Sequence, residues 1–102
     1  MPTYKMDDQA IVKTENATAH WDEATRWNGH NHVSKATGSQ WDHQTLYRST
    51  KGRFYIEHTS QRDGTLASAE WLLSAQDAAR WLLANDHDLP EDLEQFTAEI
   101  TE

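Results

Sequence analysis

The run Thr45-Leu46-Tyr47-Arg48-Ser49-Thr50-Lys51-Gly52-Arg53-Phe54-Tyr55-Ile56-Glu57-His58-Thr59 decides the fold class. Phe54-Tyr55-Ile56 is aromatic and β-branched, residue types that fit a pleated, half-buried surface. Lys51-Gly52 sits between this segment and Leu46-Tyr47, and glycine supplies the positive φ that a tight reversal needs. The spacing predicts two antiparallel strands, Trp41–Ser49 and Arg53–Thr59, joined by a short turn. Upstream, the apolar residues between Ala17 and Trp27 fit no helical stripe, while Thr18, Trp21, Thr25 and Trp27 favour extended chain. Asn28-Gly29 then signals a two-residue hairpin, with a partner strand through His30–Thr37 and a further turn at Gly38-Ser39. Downstream, Gln61–Gly64 ends the strand and Leu66–Leu72 supplies another. Met1–Asn16 has no sustained period and reads as a tail or an edge, with one short strand at Gln9–Lys13.

The period changes at Ser74. Ser74-Ala75-Gln76-Asp77 is a variant of the capping box, in which a serine cap is followed three residues later by an acid. The helix it opens should run through Asn85, because Ala78, Trp81, Leu82 and Asn85 recur at helical spacing and Ala75, Ala79 and Leu83 widen the stripe. Pro90 fits the first turn of a second helix, where its missing N–H costs nothing. In that helix Leu93, Phe96 and Ile100 would form the buried face, and Glu91, Asp92 and Glu94 would meet the positive end of its dipole. The expected fold is α+β: an antiparallel meander of four to five strands, then two C-terminal helices packed on one sheet face. Residues 1–102 are expected to form one domain, with a tail or edge strand over 1–16, sheet over 17–73 and an acidic helical part over 74–102.

The composition restricts the function. A chain of 102 residues has room for one core, and five tryptophans are its largest building blocks. Most of them should be at least partly buried. No cysteine is present, which excludes disulfides, thiolate metal sites and a thiol nucleophile. No apolar run has the length of a signal or membrane segment, so a cytoplasmic protein is expected. The net charge of −8 is distributed unevenly. Residues 1–62 carry seven acids and eight bases, whereas residues 63–102 carry ten acids and only Arg80 as a base. A region of that sign repels nucleic-acid phosphates and attracts basic surfaces.

The motifs Trp27-Asn28-Gly29-His30-Asn31-His32, Thr37-Gly38-Ser39-Gln40-Trp41, Leu46-Tyr47-Arg48, Lys51-Gly52-Arg53-Phe54-Tyr55-Ile56-Glu57-His58 and Ala78-Ala79-Arg80-Trp81-Leu82 carry a resemblance. Over about residues 17–93, most of a domain of ordinary size, the chain resembles a family of small uncharacterised bacterial and mobile-element proteins. That resemblance implies relatives and assigns no functional residue.

Three kinds of site are written in the residues. His30 and His32 are two apart, which on a strand places both imidazoles on one side; Asp42 and His43 lie on a neighbouring predicted strand. A small metal-dependent or histidine-assisted enzyme is one alternative, although a two-histidine spacing without a third ligand motif equally fits polar residues near a turn. No Gly-x-Ser-x-Gly elbow or phosphate-binding glycine loop is present. The tryptophans with Arg26, Arg48, Arg53 and Arg62 suggest a second alternative, an aromatic-faced adaptor for nucleic acid or peptide.

The third site is Asp86, Asp88, Glu91, Asp92, Glu94 and Glu99, a carboxylate series with no base among it. Its plain reading is a solvated, solubilising face. Its sharper reading is a partner-binding face. Acids one helical turn apart sit about 5–6 Å from one another, comparable with phosphates along one strand. The expected function is therefore a non-enzymatic acidic interaction module that needs no cofactor or metal and binds a basic protein surface. Its most concrete version is a nucleic-acid mimic that inhibits a nucleic-acid-binding host-defence protein, of the anti-CRISPR or anti-restriction type.

Overall fold

The computed structural model describes residues 3–27, 29–61 and 66–97. Its centre is the expected hairpin. Strand β6 (Asp42–Arg48) pairs antiparallel with β7 (Phe54–Ser60), from Asp42↔Ser60 to Arg48↔Phe54. Ser49 to Gly52 closes the connection, with the Gly52 N–H donating to the Ser49 carbonyl at 2.9 Å and Gly52 at φ +84°. Phe54, Tyr55, Ile56 and Glu57 are all buried, as befits a central strand covered on both faces. Strand β8 (Ser68–Trp71) adds to β7, and the Leu66–Leu72 expectation resolves into these four residues. The Gln61–Gly64 turn falls mainly on residues outside the described set.

The other neighbour of β6 differs from a simple meander. The Ala17–Trp27 segment bends at Glu23-Ala24 into β3 (Ala19–Asp22) and β4 (Thr25–Trp27). β3 pairs with β6, giving one sheet in the order β3-β6-β7-β8. Between them β4 pairs with β5 (His32–Ser34) as a separate two-stranded sheet. Its strands close at Trp27↔His32, so residues 28–31 connect them, a longer loop than the two-residue Asn28-Gly29 turn expected. Asn28 itself lies outside the described residues; Gly29 is at φ +103°. Trp27 lies 5.2 Å from His32, edge to face, across that closing pair. After β5, the side-chain hydroxyl of Ser34 accepts from the Ala36 and Thr37 N–H groups, and Gly38 turns at φ +73°.

The N-terminal segment also forms a hairpin, β1 (Thr3–Lys5) with β2 (Ile11–Lys13), followed by a 3-10 turn at Thr14–Asn16. Met6 and Val12 from this hairpin, with Tyr4 and Ala10, pack on the sheet face that carries Tyr47, Tyr55, Ala69 and Trp71. The opposite face carries Trp21, Leu46, Phe54 and Ile56 against the helical layer. The sheet therefore lies between the N-terminal hairpin and the helices.

Helix α1 (Ala75–Ala84) starts as its cap predicts, with Ser74 Oγ accepting from the Asp77 N–H at 3.2 Å. It buries Ala78, Ala79, Trp81 and Leu82. The second α-helix expected after Pro90 is instead a 3-10 helix, Glu91–Phe96, with Pro90 just outside its first turn. Three residues per turn place Leu93 and Phe96 on one line. Leu93 is buried and Phe96 packs against the same core as α1, so the tighter winding satisfies the apolar pattern. Ile100, the third residue of the expected face, lies outside the described residues. Among the described residues, no helix is long and apolar enough to cross a membrane.

Candidate functional site

The acidic edge begins where α1 stops. Asn85 caps the helix, and the N–H groups of Asp86 and His87 return to the Leu83 and Leu82 carbonyls at 3.2 and 2.9 Å. This is a Schellman pattern with Asp86, at φ +66°, in the left-handed position usually held by glycine. Aspartate enters that region more readily than most residues because its short polar side chain can bond locally. The Asp86 carboxylate meets Lys35 Nζ at 2.7 Å.

Buried Asn85 joins this corner to the sheet. Its Oδ1 accepts from the Ala24 N–H at 3.1 Å, and its Nδ2 donates to the Trp81 carbonyl at 2.9 Å. Ala24 is the bend between β3 and β4, so one side chain holds helix end and strand break together. His87 adds a second tie: Nε2 is 2.6 Å from the Asp22 carbonyl, which only accepts, so this nitrogen carries the proton. The imidazole lies parallel to Trp81 at 6.3 Å, and Trp81 Nε1–H donates to Gln44 Oε1 at 2.9 Å.

Asp92, in the first turn of the 3-10 helix, bonds to the Arg48 guanidinium, which also lies over the Phe54 ring at 5.1 Å. That hydrogen bond holds the Asp92 carboxyl below its ordinary range. Asp86 and Asp92 are thus tied to the body of the protein. Asp88, Glu91 and Glu94 are exposed, and no cation among the described residues pairs with them. Glu99 lies outside the described residues. The helical spacing expected for Asp88 and Asp92 does not arise, because Asp88 precedes the helix. Glu91 and Glu94 share one line of a 3-10 helix, about 6 Å apart along its axis.

The histidine site has a different arrangement from the one its spacing suggested. His32 is on β5, whose only strand partner among the described residues is β4, and His30 is in the loop before it. β5 is therefore not the ladder neighbour of β6, where Asp42 and His43 lie. His43 Nδ1 instead meets Glu23 Oε2 at 2.9 Å, while Asp42 Oδ1 accepts from the Ser60 hydroxyl. His58 Nε2 meets Glu70 Oε1 at 2.9 Å. Among the described residues no three His, Asp or Glu side chains converge as metal ligands.

The aromatic residues divide by location. Trp81 is buried and Trp21 and Trp71 are partly so, whereas Trp27 is 60% exposed and Trp41 is also exposed. Arg48 and Arg53 are committed to Asp92 and Asp8, Arg26 is exposed beside Trp27, and Arg62 lies outside the described residues.

Sequence reasoning missed one buried cluster. Glu57 is 8% exposed and accepts from the Tyr4 hydroxyl at 2.5 Å and the Tyr47 hydroxyl at 3.4 Å. Tyr47 and Tyr55 stack at 5.2 Å. Burial, together with the nearby Glu57 carboxylate, raises all three phenol pKa values; that of Tyr55 is pushed up to about 12. An acid in the middle of an apolar strand was the available signal. No protein-family profile, curated protein or solved structure matches the chain.

Proposed function

We infer that the protein is a non-enzymatic interaction module whose acidic edge, presented by Asp88, Glu91 and Glu94, engages a basic protein surface. One observation carries this reading: three exposed carboxylates without cationic partners among the described residues lie beside two, Asp86 and Asp92, that Lys35 and Arg48 fasten to the body. A charged edge mounted on a braced frame loses less conformational entropy on binding than a mobile tail does. The concrete form of the proposal is mimicry of nucleic acid, with a nucleic-acid-binding host-defence protein as the inhibited partner. The line of Glu91 and Glu94 supports it, as does the strongly one-signed C-terminal part of the chain.

The test is affinity capture from a bacterial lysate with wild-type protein and with the variant D88N/E91Q/E94Q, followed by mass spectrometry. The wild type should retain a basic nucleic-acid-binding protein and release it as salt shortens the Debye length from about 10 Å at 0.1 M to about 3 Å at 1 M. The variant should lose that capture at an unchanged melting temperature. Equal retention by the variant would place the binding surface elsewhere.

A further inference from the structure

On the sheet face opposite the helices, an open groove of about 420 Å³ runs between the N-terminal hairpin and the β6–β7 turn. It falls within the volume range of small-molecule sites, about 300–1,000 Å³. Its charge is opposite to that of the protein. Lys13, Lys51 and Arg53 line it, and no carboxylate does. They are three of the nine bases in a chain of net charge −8.

The three cations are not equivalent. Arg53 is already satisfied: its guanidinium meets Asp8 at 2.8 Å and lies 3.7 Å from the centre of the Trp71 ring. Asp8 also accepts from Trp71 Nε1–H at 3.0 Å, and the Arg53 and Trp71 bonds hold its carboxyl down to about 2. Lys13 and Lys51 have no carboxylate partner among the described residues. They come from different walls, Lys13 from the end of β2 and Lys51 from the β6–β7 turn. The rest of the lining is mixed: Ile11, 67% exposed, with Val12 and Trp71 gives an apolar part, and Asn16, Ser49 and Thr50 add polar groups. Tyr55 completes the lining, and its buried hydroxyl has no hydrogen-bond partner among the described residues.

We propose that this groove binds a small organic anion, a phosphate or carboxylate group carried on an apolar body. Lys13 and Lys51 take the anionic head, and Ile11, Val12 and Trp71 cover the body. An ammonium group is a compact point charge with three donors and accepts either head group. The net negative charge of the protein does not prevent this: Asp8, the carboxylate bonded to the groove wall, is paired with Arg53, and charges more than about 8–10 Å away are largely screened at physiological salt. The local pair of lysines therefore dominates the approach. This proposal is independent of the acidic edge, which lies on the helical side of the sheet.

The test uses three probes in NMR titrations of isotopically labelled full-length protein: phenyl phosphate, inorganic phosphate and benzyl alcohol. Phenyl phosphate should give saturable shifts at Ile11, Lys13, Lys51 and the Trp71 indole N–H. Each of the other probes should bind at least about tenfold more weakly, since each supplies one half of the recognition. A parallel titration with benzoate separates the two head groups: tighter binding of either identifies the preferred anion within the proposed class. The variant K13Q/K51Q should bind phenyl phosphate about tenfold more weakly, as expected for the loss of two exposed charge contacts, with an unchanged melting temperature. The proposal is overturned if neither phenyl phosphate nor benzoate gives saturable shifts at these residues. Equal binding of inorganic phosphate and phenyl phosphate, or unchanged affinity in K13Q/K51Q, would overturn it as well.

Discussion

Asn85 and the tyrosines show how single polar side chains hold this small protein together. Asn85 accepts from the bend at Ala24 and donates within its own helix, so Asn85→Ala leaves a partly buried backbone N–H without that partner. Such a loss costs about 1–3 kcal/mol, and thermal or urea unfolding of the variant should register it. The three tyrosines of the chain all belong to the cluster around Glu57. Folding raises their pKa values above the ordinary 10.0, which means the native state favours the neutral phenols. The stability they contribute is fully present below pH 10 and is lost as pH rises through the folded values. Ultraviolet absorbance should therefore show suppressed phenolate formation at pH 10 to 11, followed by cooperative release as the protein unfolds. A normal titration near 10.0 would contradict the buried cluster. Tyr4→Phe should lower stability by about 1.5 kcal/mol, because it removes a hydrogen bond to a carboxylate. Tyr55→Phe should be near neutral, because its hydroxyl has no hydrogen-bond partner among the described residues.

Elements differ in how clearly their residues announce them. The β6–β7 hairpin and the start of α1 were legible because local chemistry determines both: strand formers around Gly52 in one, a serine cap in the other. Gly52 stands at φ +84° with nothing within 4 Å of the position a Cβ would take. Gly52→Val therefore introduces backbone strain with no clash at its Cβ. It should destabilise the protein by about 1–2 kcal/mol, a shift measurable as a lower urea midpoint at unchanged slope. Unchanged stability would contradict the turn.

The pairing of β3 with β6 was not legible, because it depends on contacts across the β4–β5 excursion and not on any nearby signal. Of the β1–β2 hairpin, the short strand at Gln9–Lys13 was legible and forms as Ile11–Lys13, whereas β1 and the pairing were hidden: the strands are three residues long, and the connection carries Gln9 rather than glycine at positive φ, +69°. The end of α1 was legible, since the helix expected through Asn85 stops at Ala84 with Asn85 as its cap, but the left-handed residue that follows was not, because Asp86 stands where glycine is usual. The 3-10 winding of Glu91–Phe96 was not legible, because Leu93 and Phe96, three apart, satisfy either winding.

At the scale of the whole molecule, composition made the acidic C-terminal part visible, yet it did not distinguish bracing acids from open ones. Lys35 reaches Asp86 across 51 residues of sequence and Arg48 reaches Asp92 across 44, pairings that only the tertiary fold creates. The basic groove was invisible for the same reason, since Lys13 and Lys51 come from separate elements. The molecule thus presents two electrostatically opposite surfaces on the two sides of one sheet. The acidic one is the proposed partner surface. Its most direct test is competition: the captured partner is purified, bound to the protein and titrated with duplex DNA or RNA at fixed ionic strength. Mimicry predicts that nucleic acid displaces the protein from a shared site, and that D88N/E91Q/E94Q binds at least about tenfold more weakly while remaining folded. A ternary complex of partner, nucleic acid and protein, with affinity unchanged in the variant, would contradict it.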